Sequence, residues 1–356
     1  MNKKILISTG GSGGHVIPAT IIYKHLEGNF DVSMTSDVRG IKFLNKDEYN
    51  LKIFNVRSIS KNLLILPLDF LSMIILIFKS IFFLKKNKIN ILISSGGYMS
   101  LPLCLGAKIL NIKLLLFEPN MVLGRSNKFF LNYCQKIFCY SNNVKKFPIK
   151  FKNKIKVIPA LLRKNFYDKR DNNNSLDTIN LLIIGGSQGA KIFDDLVKNT
   201  IIELSKKYKL KIFQQTSSIN FQNFKKIYEN NDINCELFNF NDDVVNFMKK
   251  TDLCITRAGA STLAELSFTE TPYLAIPLPT SKDNHQFENA YFYNKLGFNW
   301  LLNQKEIDEQ ILLNKLINII DNKEEYFTKK KNMKDFNYEN TWNNINLKIT
   351  SVINEN

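Results

Sequence analysis

Lys4-Ile5-Leu6-Ile7-Ser8-Thr9-Gly10-Gly11-Ser12-Gly13-Gly14-His15-Val16-Ile17-Pro18 decides how this chain is read. A short strand-like run gives way to glycines, and a helical pattern follows. The same order recurs at Leu181-Leu182-Ile183-Ile184-Gly185-Gly186-Ser187-Gln188-Gly189-Ala190. Glycines at a strand-to-helix turn let the backbone approach a ligand, and the helix start offers free N–H groups and a positive dipole. Ligands of open α/β sheets bind outside the carboxyl ends of the strands. Two such loops predict an α/β chain of two domains that face each other across a cleft.

Outward from these loops, short apolar runs alternate with longer helical stretches, the pattern of parallel sheets with crossover helices. The first half offers strands at Lys4–Ser8, Asp31–Thr35, Leu51–Asn55, Ile89–Ile93, Lys113–Phe117 and Lys136–Tyr140. The second offers Thr178–Ile184, Lys211–Gln215, Leu253–Thr256 and Tyr273–Pro277. Between them, Arg163 to Asp177 is polar and Asn-rich, a hinge composition. A length of 356 residues suits two domains, and 44% hydrophobic content supplies their cores. The expected boundaries are 1–163 and 164–334.

A formal charge of +17 can serve nucleic acid, an anionic membrane or phosphorylated substrates. No zinc-finger spacing, RNA-recognition motif or long basic helix is present, so no nucleic-acid partner is expected. Cys104, Cys134, Cys139, Cys235 and Cys254 are scattered among apolar residues and read as free thiols of a reducing compartment. Met1 to Ser8 runs directly into a strand, so no signal peptide is expected. Leu63 to Leu84 is almost wholly apolar and, as a helix, about 33 Å long, enough to span a bilayer. It carries Pro67, Asp69 and Lys79, however, and the strands on either side belong to one predicted sheet. A surface helix with an apolar face for lipid and a basic rim of Lys79, Lys85, Lys86 and Lys88 fits better.

Three chemistries compete for the glycine loops. The dinucleotide fingerprint fails because its last glycine position, counted from Gly11, is Val16, although Asp37 ends the second strand as that motif requires. A phosphate-binding P-loop fails because no Gly-Lys-Ser/Thr follows. Gly10-x-Ser12-x-Gly14 and Gly185-x-Ser187-x-Gly189 both match a serine-hydrolase elbow, with Asp283 and His285 downstream. That fold needs one elbow, and Asp283 and His285 are too close in sequence to bond as a triad requires.

A further constellation is Arg257-Ala258-Gly259-Ala260-Ser261-Thr262-Leu263-Ala264-Glu265. Small residues before a helix starting near Ser261 or Thr262 suit a diphosphate. Glu265, a turn in, can accept from adjacent ribose hydroxyls; a capping box with Ser261 or Thr262 would explain the same spacing. Downstream, Pro277 to Ala290 is a proline-rich loop leading to Asp283, His285, Gln286 and Asn289, polar groups of the kind that meet sugar hydroxyls.

With Gly96-Gly97-Tyr98 and Glu118-Pro119-Asn120 added, the chain resembles, over nearly its whole length, the MurG family of N-acetylglucosaminyltransferases, glycosyltransferase family 28. The resemblance implies the GT-B fold, two Rossmann-like domains with parallel sheets facing across a cleft, and a terminal helix at 335–353 packing back on the first. It implies an inverting transfer of N-acetylglucosamine from UDP-GlcNAc to the C4 hydroxyl of the muramoyl sugar of lipid I, giving lipid II, by a peripheral enzyme on the cytoplasmic face of the bacterial inner membrane. His15, ending a glycine loop at a helix start, is then the expected base, with Glu118 the alternative. Donor contacts are expected from Ser12, Gly13, Gly14, Asn120, Arg163, Ser187, Gln188, Asn241, Ala260, Ser261, Thr262, Glu265 and Gln286. Gly13, Gly14, His15, Gly96, Gly97 and Tyr98 are expected to meet the acceptor. No D-x-D carboxylate pair is present, so no metal or other cofactor is expected to be required, though a divalent ion can assist. Ser12 stands where Thr is usual, Pro119 where Gln is common, and His285-Gln286 where Gln-Gln is frequent. The last change puts in question the sugar contact at position 285. The same fold also serves other lipid glycosyltransferases and the UDP-sugar 2-epimerases, whose reaction has no acceptor.

Overall fold

The computed structural model describes residues 3–56, 66–168, 178–185, 191–239 and 244–355. These form two compact units: Met1–Leu162 with Asn340–Asn356, and Arg163–Glu339.

In the first unit the strands are β1 (Lys4–Ser8), β2 (Asp31–Ser36), β3 (Leu51–Ile53), β4 (Ile91–Ser94), β5 (Lys113–Glu118), β6 (Lys136–Cys139) and β7 (Ile155–Val157). They form one parallel sheet in the order β3-β2-β1-β4-β5-β6-β7. Ile5, Leu6, Ile7 and all of β4 are buried, as strands covered on both faces must be. Helices α1 (Gly13–Leu26), α2 (Leu66–Lys86), α3 (Leu101–Ile109) and α4 (Arg125–Phe130) belong to this unit. One core layer joins Leu6, Leu92, Leu114, Leu116 and Ile137 of the sheet to Leu84 of α2 and Leu103 of α3.

The second unit has β8 (Ile179–Ile184), β9 (Leu210–Gln215), β10 (Asn234–Phe238), β11 (Leu253–Thr256), β12 (Tyr273–Ala275) and β13 (Asn299–Leu301). Their order, β10-β9-β8-β11-β12-β13, is again parallel throughout. Its helices are α5 (Lys191–Ser205), α6 (Phe221–Glu229), α7 (Val244–Lys250), α8 (Ala260–Phe268), α9 (His285–Lys295), α10 (Glu309–Asp321) and α11 (Lys323–Phe336). Leu181, Ile183, Ile212 and Ile255 of the sheet pack with Val197 and Ile201 of α5 and Leu312 and Leu316 of α10.

The strands β7, β10 and β13 are not among those expected from the sequence. A single helix over 335–353 is corrected. The chain breaks after Phe336, and α12 (Trp342–Asn354) starts afresh with the Thr341 side chain accepting from Asn344 N. Asn337 ends α11 by donating to Met333 O and to Ser267, and Asn340 donates to Ala160 O. These polar side chains compete with the helix for its backbone groups. In the first unit α12 lies on α1, where Trp342 stacks on His25 with ring centroids 3.7 Å apart. Lys3 and Lys113 cap its last carbonyls from the starts of β1 and β5.

Of the apolar segment at 63–84, residues 63–65 lie outside the described residues, and the helix runs on to Lys86. It is the crossover between β3 and β4 of one sheet. Within Pro67–Lys86 an 18-residue window reaches a mean hydropathy of 2.0, yet only 11% of that window is buried. Leu68, Leu71, Ile75, Phe78 and Phe82, spaced three and four apart, form a stripe 47–69% exposed. Ser80 and Leu84 face inward and are fully buried.

Candidate functional site

In the first unit β1 and β4 are neighbours from which the sheet order runs outward in both directions, so the loops after them flank the topological switch point. The loop after β1 is Gly10 to His15, and the loop after β4 contains Ser95 to Tyr98. His15 Nδ1 lies 2.8 Å from Ser95 O. A carbonyl only accepts, so Nδ1 carries the hydrogen, and in the neutral ring Nε2 keeps its lone pair. The Ser95 hydroxyl donates to Thr9 Oγ1 (2.8 Å), which ties the two loops together. Gly97 has φ +78°, and a Cβ there would come 3.5 Å from His15 Nε2.

Asp37, just past β2, fixes the first loop. Its Oδ1 accepts from Gly11 N and Gly40 N, both at 2.8 Å, and its Oδ2 from Arg39 Nε at 2.8 Å. Burial alone would raise its pKa, but these donors outweigh it and hold the carboxyl below its ordinary value. Gly10 is required here, because a Cβ would lie 2.7 Å from Asp37 Oδ1. Arg39 also reaches Met99 Sδ (3.4 Å), on the second loop. The Ser12 side chain makes no capping bond, and Gly13 and Gly14 supply first-turn N–H groups that the helix cannot satisfy itself.

Glu118, at the end of β5, is buried and already engaged. Its Oε1 accepts from Asn120 N (3.2 Å) and Asn120 Nδ2 (3.0 Å), and its Oε2 from Gly124 N (2.7 Å) and Asn127 Nδ2 (3.0 Å). Both oxygens thus shape the 120–127 segment.

In the second unit β8 and β11 occupy the equivalent switch point. After β11, Arg257 to Gly259 turns the chain into α8, whose cap Gly259 makes no side-chain bond. The first turn is therefore Ala260, Ser261 and Thr262, with its N–H groups open to an anion. The expected helix start near Ser261 or Thr262 moves to Ala260, and the capping-box alternative is excluded because neither hydroxyl occupies the cap position. Glu265 is buried, and Arg163 Nη2 stands 3.5 Å from its Oε1. Burial raises the Glu265 pKa and the Arg163 charge opposes the rise.

Gln286 Oε1 accepts from Leu278 N (2.9 Å) and Ala258 N (3.3 Å), while Asn289 Nδ2 donates to Ala258 O (3.1 Å). Two converging backbone N–H groups require an oxygen, so the Gln286 amide nitrogen is the end left to meet a ligand. Asp283 and Asn284 take left-handed backbone, and half-buried His285 donates from Nδ1 to Lys282 O (2.8 Å).

The sequence-predicted residues thus fall into two sets. In the first unit His15, which ends the 12–15 loop, lies against Gly97 of the 96–98 turn, with Glu118 and Asn120 on the adjoining strand end. Arg163 meets Glu265 in the second, and Gln286 braces the turn before Ala260. Ser187, Gln188 and Asn241 lie outside the described residues. Ser95, Asn127 and the loop-holding role of Asp37 were not anticipated. For Asp37 the signal was its place at the end of the second strand; Ser95 acts through a backbone carbonyl, which no sequence pattern marks. Among the described residues no group of three or more His, Cys, Asp or Glu is placed to hold a metal ion.

Two parallel Rossmann-like sheets, each with glycine-rich or small-residue turns at its switch point, define an α/β protein of the GT-B class. Residues 5–139 match the glycosyltransferase family 28 N-terminal domain and residues 180–342 the glycosyltransferase family 28 C-terminal domain. A protein of Pelagibacter ubique (strain HTCC1062), named UDP-N-acetylglucosamine–N-acetylmuramyl-(pentapeptide) pyrophosphoryl-undecaprenol N-acetylglucosamine transferase, is 89% identical over 356 residues, all of both chains. A protein of the same name from Rickettsia bellii (strain RML369-C) is 35% identical over 330 residues, covering 90% of this chain and 91% of that one. The crystal structure of Acinetobacter baumannii MurG superposes with a TM-score of 0.76 at 22% identity, covering 94% of this chain and 95% of the other. The chain belongs to glycosyltransferase family 28.

Proposed function

We propose that this chain transfers N-acetylglucosamine from UDP-N-acetylglucosamine to the C4 hydroxyl of the muramoyl sugar of lipid I, giving lipid II in peptidoglycan synthesis. The observation that carries this is the 89% identity, without a gap in coverage, to a relative whose name states that transfer. The geometry of the described site residues is compatible with it.

In this reading the C4 hydroxyl attacks C1 of the donor sugar in line, the C1–O bond to the diphosphate breaks, and UDP leaves with the electron pair. His15 Nε2 takes the hydroxyl proton, and the Ser95 carbonyl, already bonded to Nδ1–H, orients the ring and stabilises the cation that forms. Glu118 is the weaker base, since each of its oxygens already accepts two hydrogen bonds. The amides of Gly13, Gly14, Gly96 and Gly97, with Tyr98, receive the acceptor diphosphate. Asn120 and Gln286 are the proposed contacts of the transferred sugar, and Ser12 is a further donor contact. Ser187, Gln188 and the first turn of α8 (Ala260, Ser261, Thr262) receive the donor diphosphate, and the backbone near Asn241 the uracil. Glu265 accepts from the ribose, and Arg163 beside it supplies planar bidentate donation.

The acceptor's lipid stays in the bilayer, so the enzyme docks there as a peripheral protein on the cytoplasmic face. The exposed apolar stripe of α2, with Lys79, Lys85, Lys86 and Lys88 beside it, supports this reading. Because α2 joins two strands of one sheet, a spanning path would set those strands on opposite sides of the membrane.

The test is UDP release from UDP-N-acetylglucosamine with and without a short-chain lipid I analogue, for wild type and His15→Ala. Acceptor-dependent release that falls about 10²–10⁴-fold in the variant is expected for loss of a general base. Wild-type protein that binds UDP but releases none with this acceptor would refute the assignment.

A further inference from the structure

The loop that carries His15 is Gly10-Gly11-Ser12-Gly13-Gly14, four glycines in five residues, and glycine has the most backbone freedom to lose on ordering. A base at the end of such a loop needs an anchor. Ser95, the residue after β4, supplies one through three of its groups. Its N–H donates to Ser8 O (3.1 Å), and its hydroxyl donates to Thr9 Oγ1 (2.8 Å) with Ser8 O at 3.3 Å. Its carbonyl accepts from His15 Nδ1 (2.8 Å). Ser8 and Thr9 lead into the loop, and His15 ends it. The path from β1 through the loop to His15, and back through Ser95 to β1, is therefore a closed ring of covalent and hydrogen bonds.

Burial restricts what these hydroxyls can do. Ser8, Thr9, Ser94 and Ser95 are each 1% exposed, so a hydroxyl here cannot turn to solvent and has to bond within the protein. The same peptide is held at its other end. Ser94 Oγ accepts from Gly96 N (3.1 Å), and Gly96 N–H lies in one peptide plane with the Ser95 carbonyl. Beyond it, Ser100 Oγ donates to Gly97 O (2.9 Å), which steadies the turn. A bond that merely satisfied two buried hydroxyls could join any pair of residues. This one ends on the residue whose carbonyl meets the candidate base.

We propose that the Ser95–Thr9 hydroxyl pair positions the base: it pins the peptide whose carbonyl keeps His15 protonated at Nδ1, so that Nε2 stays free to take a proton. The inference deepens the transferase reading and rests on His15 as its base. Ser95 and Thr9 are positioning residues, which act through the imidazole and touch no substrate. A neutral imidazole has two tautomers, and only the one with a bare Nε2 can accept the hydroxyl proton there. Loosening the clamp lets the carbonyl drift from Nδ1, the other tautomer gains population, and the fraction of enzyme with a competent base falls. Neither substrate calls on these hydroxyls for binding.

The experiment uses the full chain, its three histidines carrying an isotopic nitrogen label, and makes two measurements. Ring-nitrogen NMR resonances, assigned to His15 by their loss in His15→Ala, report the tautomer. Steady-state UDP release with the short-chain lipid I analogue reports kcat and both KM values. Wild type should show the Nδ1–H form. Thr9→Val, which keeps the shape and removes the accepting oxygen, should bring in the Nε2–H form and lower kcat about tenfold, less than loss of the base itself. Both KM values should stay as in wild type, and Thr9→Ser should restore ring and rate together. An unchanged ring and rate in Thr9→Val overturn the proposal, as does an acceptor KM that rises with the loss of rate, the mark of a disturbed glycine loop. An altered ring with unaltered kcat also overturns it, by removing His15 from the proton transfer. Ser95→Ala, which drops the hydroxyl and keeps the carbonyl, repeats the test if Thr9→Val does not fold. Wild type that turns over no acceptor would sink the transferase reading, and this proposal with it, whatever the ring shows.

Discussion

Asp37 and Glu118 stand at strand ends beside the reacting loop, and both are buried and bound to backbone N–H groups. A carboxylate there holds glycine-rich chain in a conformation it would otherwise leave. Asp37→Ala orphans the Gly11 and Gly40 amides and should cost about 2–4 kcal/mol in unfolding free energy. Asp37→Asn should cost less, because a carbonyl oxygen can keep both amide bonds while the Arg39 pairing weakens. Denaturant unfolding of the two variants checks this; equal losses would mean that charge, and not the amide bonds, is what Asp37 supplies. Since its folded pKa is depressed, the contribution of Asp37 is present above the ordinary carboxylate range and disappears as pH falls through the folded value.

At the scale of elements, the contact of α12 with α1 carries a pH dependence of its own. His25 is buried against Trp342, and burial lowers its pKa to about 4. The folded state therefore resists taking up the proton that the unfolded chain accepts near pH 6.5. Stability is complete above that pH and falls as pH drops from 6.5 towards 4, by about 3 kcal/mol at the end of the window. Thermal unfolding of wild type across this range should show the slope, and His25→Phe should flatten it. An unchanged slope in the variant would assign the acid sensitivity to the carboxylates. The lysine caps of α12 act independently of this: Lys113→Met removes a cation from the helix C-terminus and should cost up to about 1 kcal/mol at any neutral pH.

At the scale of the whole molecule, the +17 charge is distributed widely, but four lysines stand on or just after one exposed apolar helix. Each is worth about 1 kcal/mol near an anionic surface, so changing Lys79, Lys85, Lys86 and Lys88 to glutamate should weaken binding to anionic vesicles by a hundredfold or more. Sedimentation with vesicles measures this, and high salt should shrink the difference between variant and wild type. Intact binding of the variant at low salt would remove α2 from the docking surface.

The sequence by itself determined the two parallel sheets, because strands buried on both faces must be apolar throughout and the glycine turns mark where they end. It also determined the family and the set of polar residues worth watching: His15, Glu118, Arg163, Glu265 and Gln286 can all be named from the chain alone. What each of them does there was a tertiary matter. Only packing decided that Glu118 is saturated by four donors, that the Ser95 carbonyl sets the His15 tautomer, and that two backbone amides turn the Gln286 nitrogen outward. Only packing showed that the terminal helix starts at Trp342, where the Thr341 side chain caps it. The apolar run of α2 is the clearest case of the division. Its composition could signify a core, a membrane span or a docking face, and the choice came from the exposed stripe and from the sheet that both its ends join. Periodicity records which residues avoid water, whereas the partner that replaces water is fixed by contacts between segments far apart in the chain.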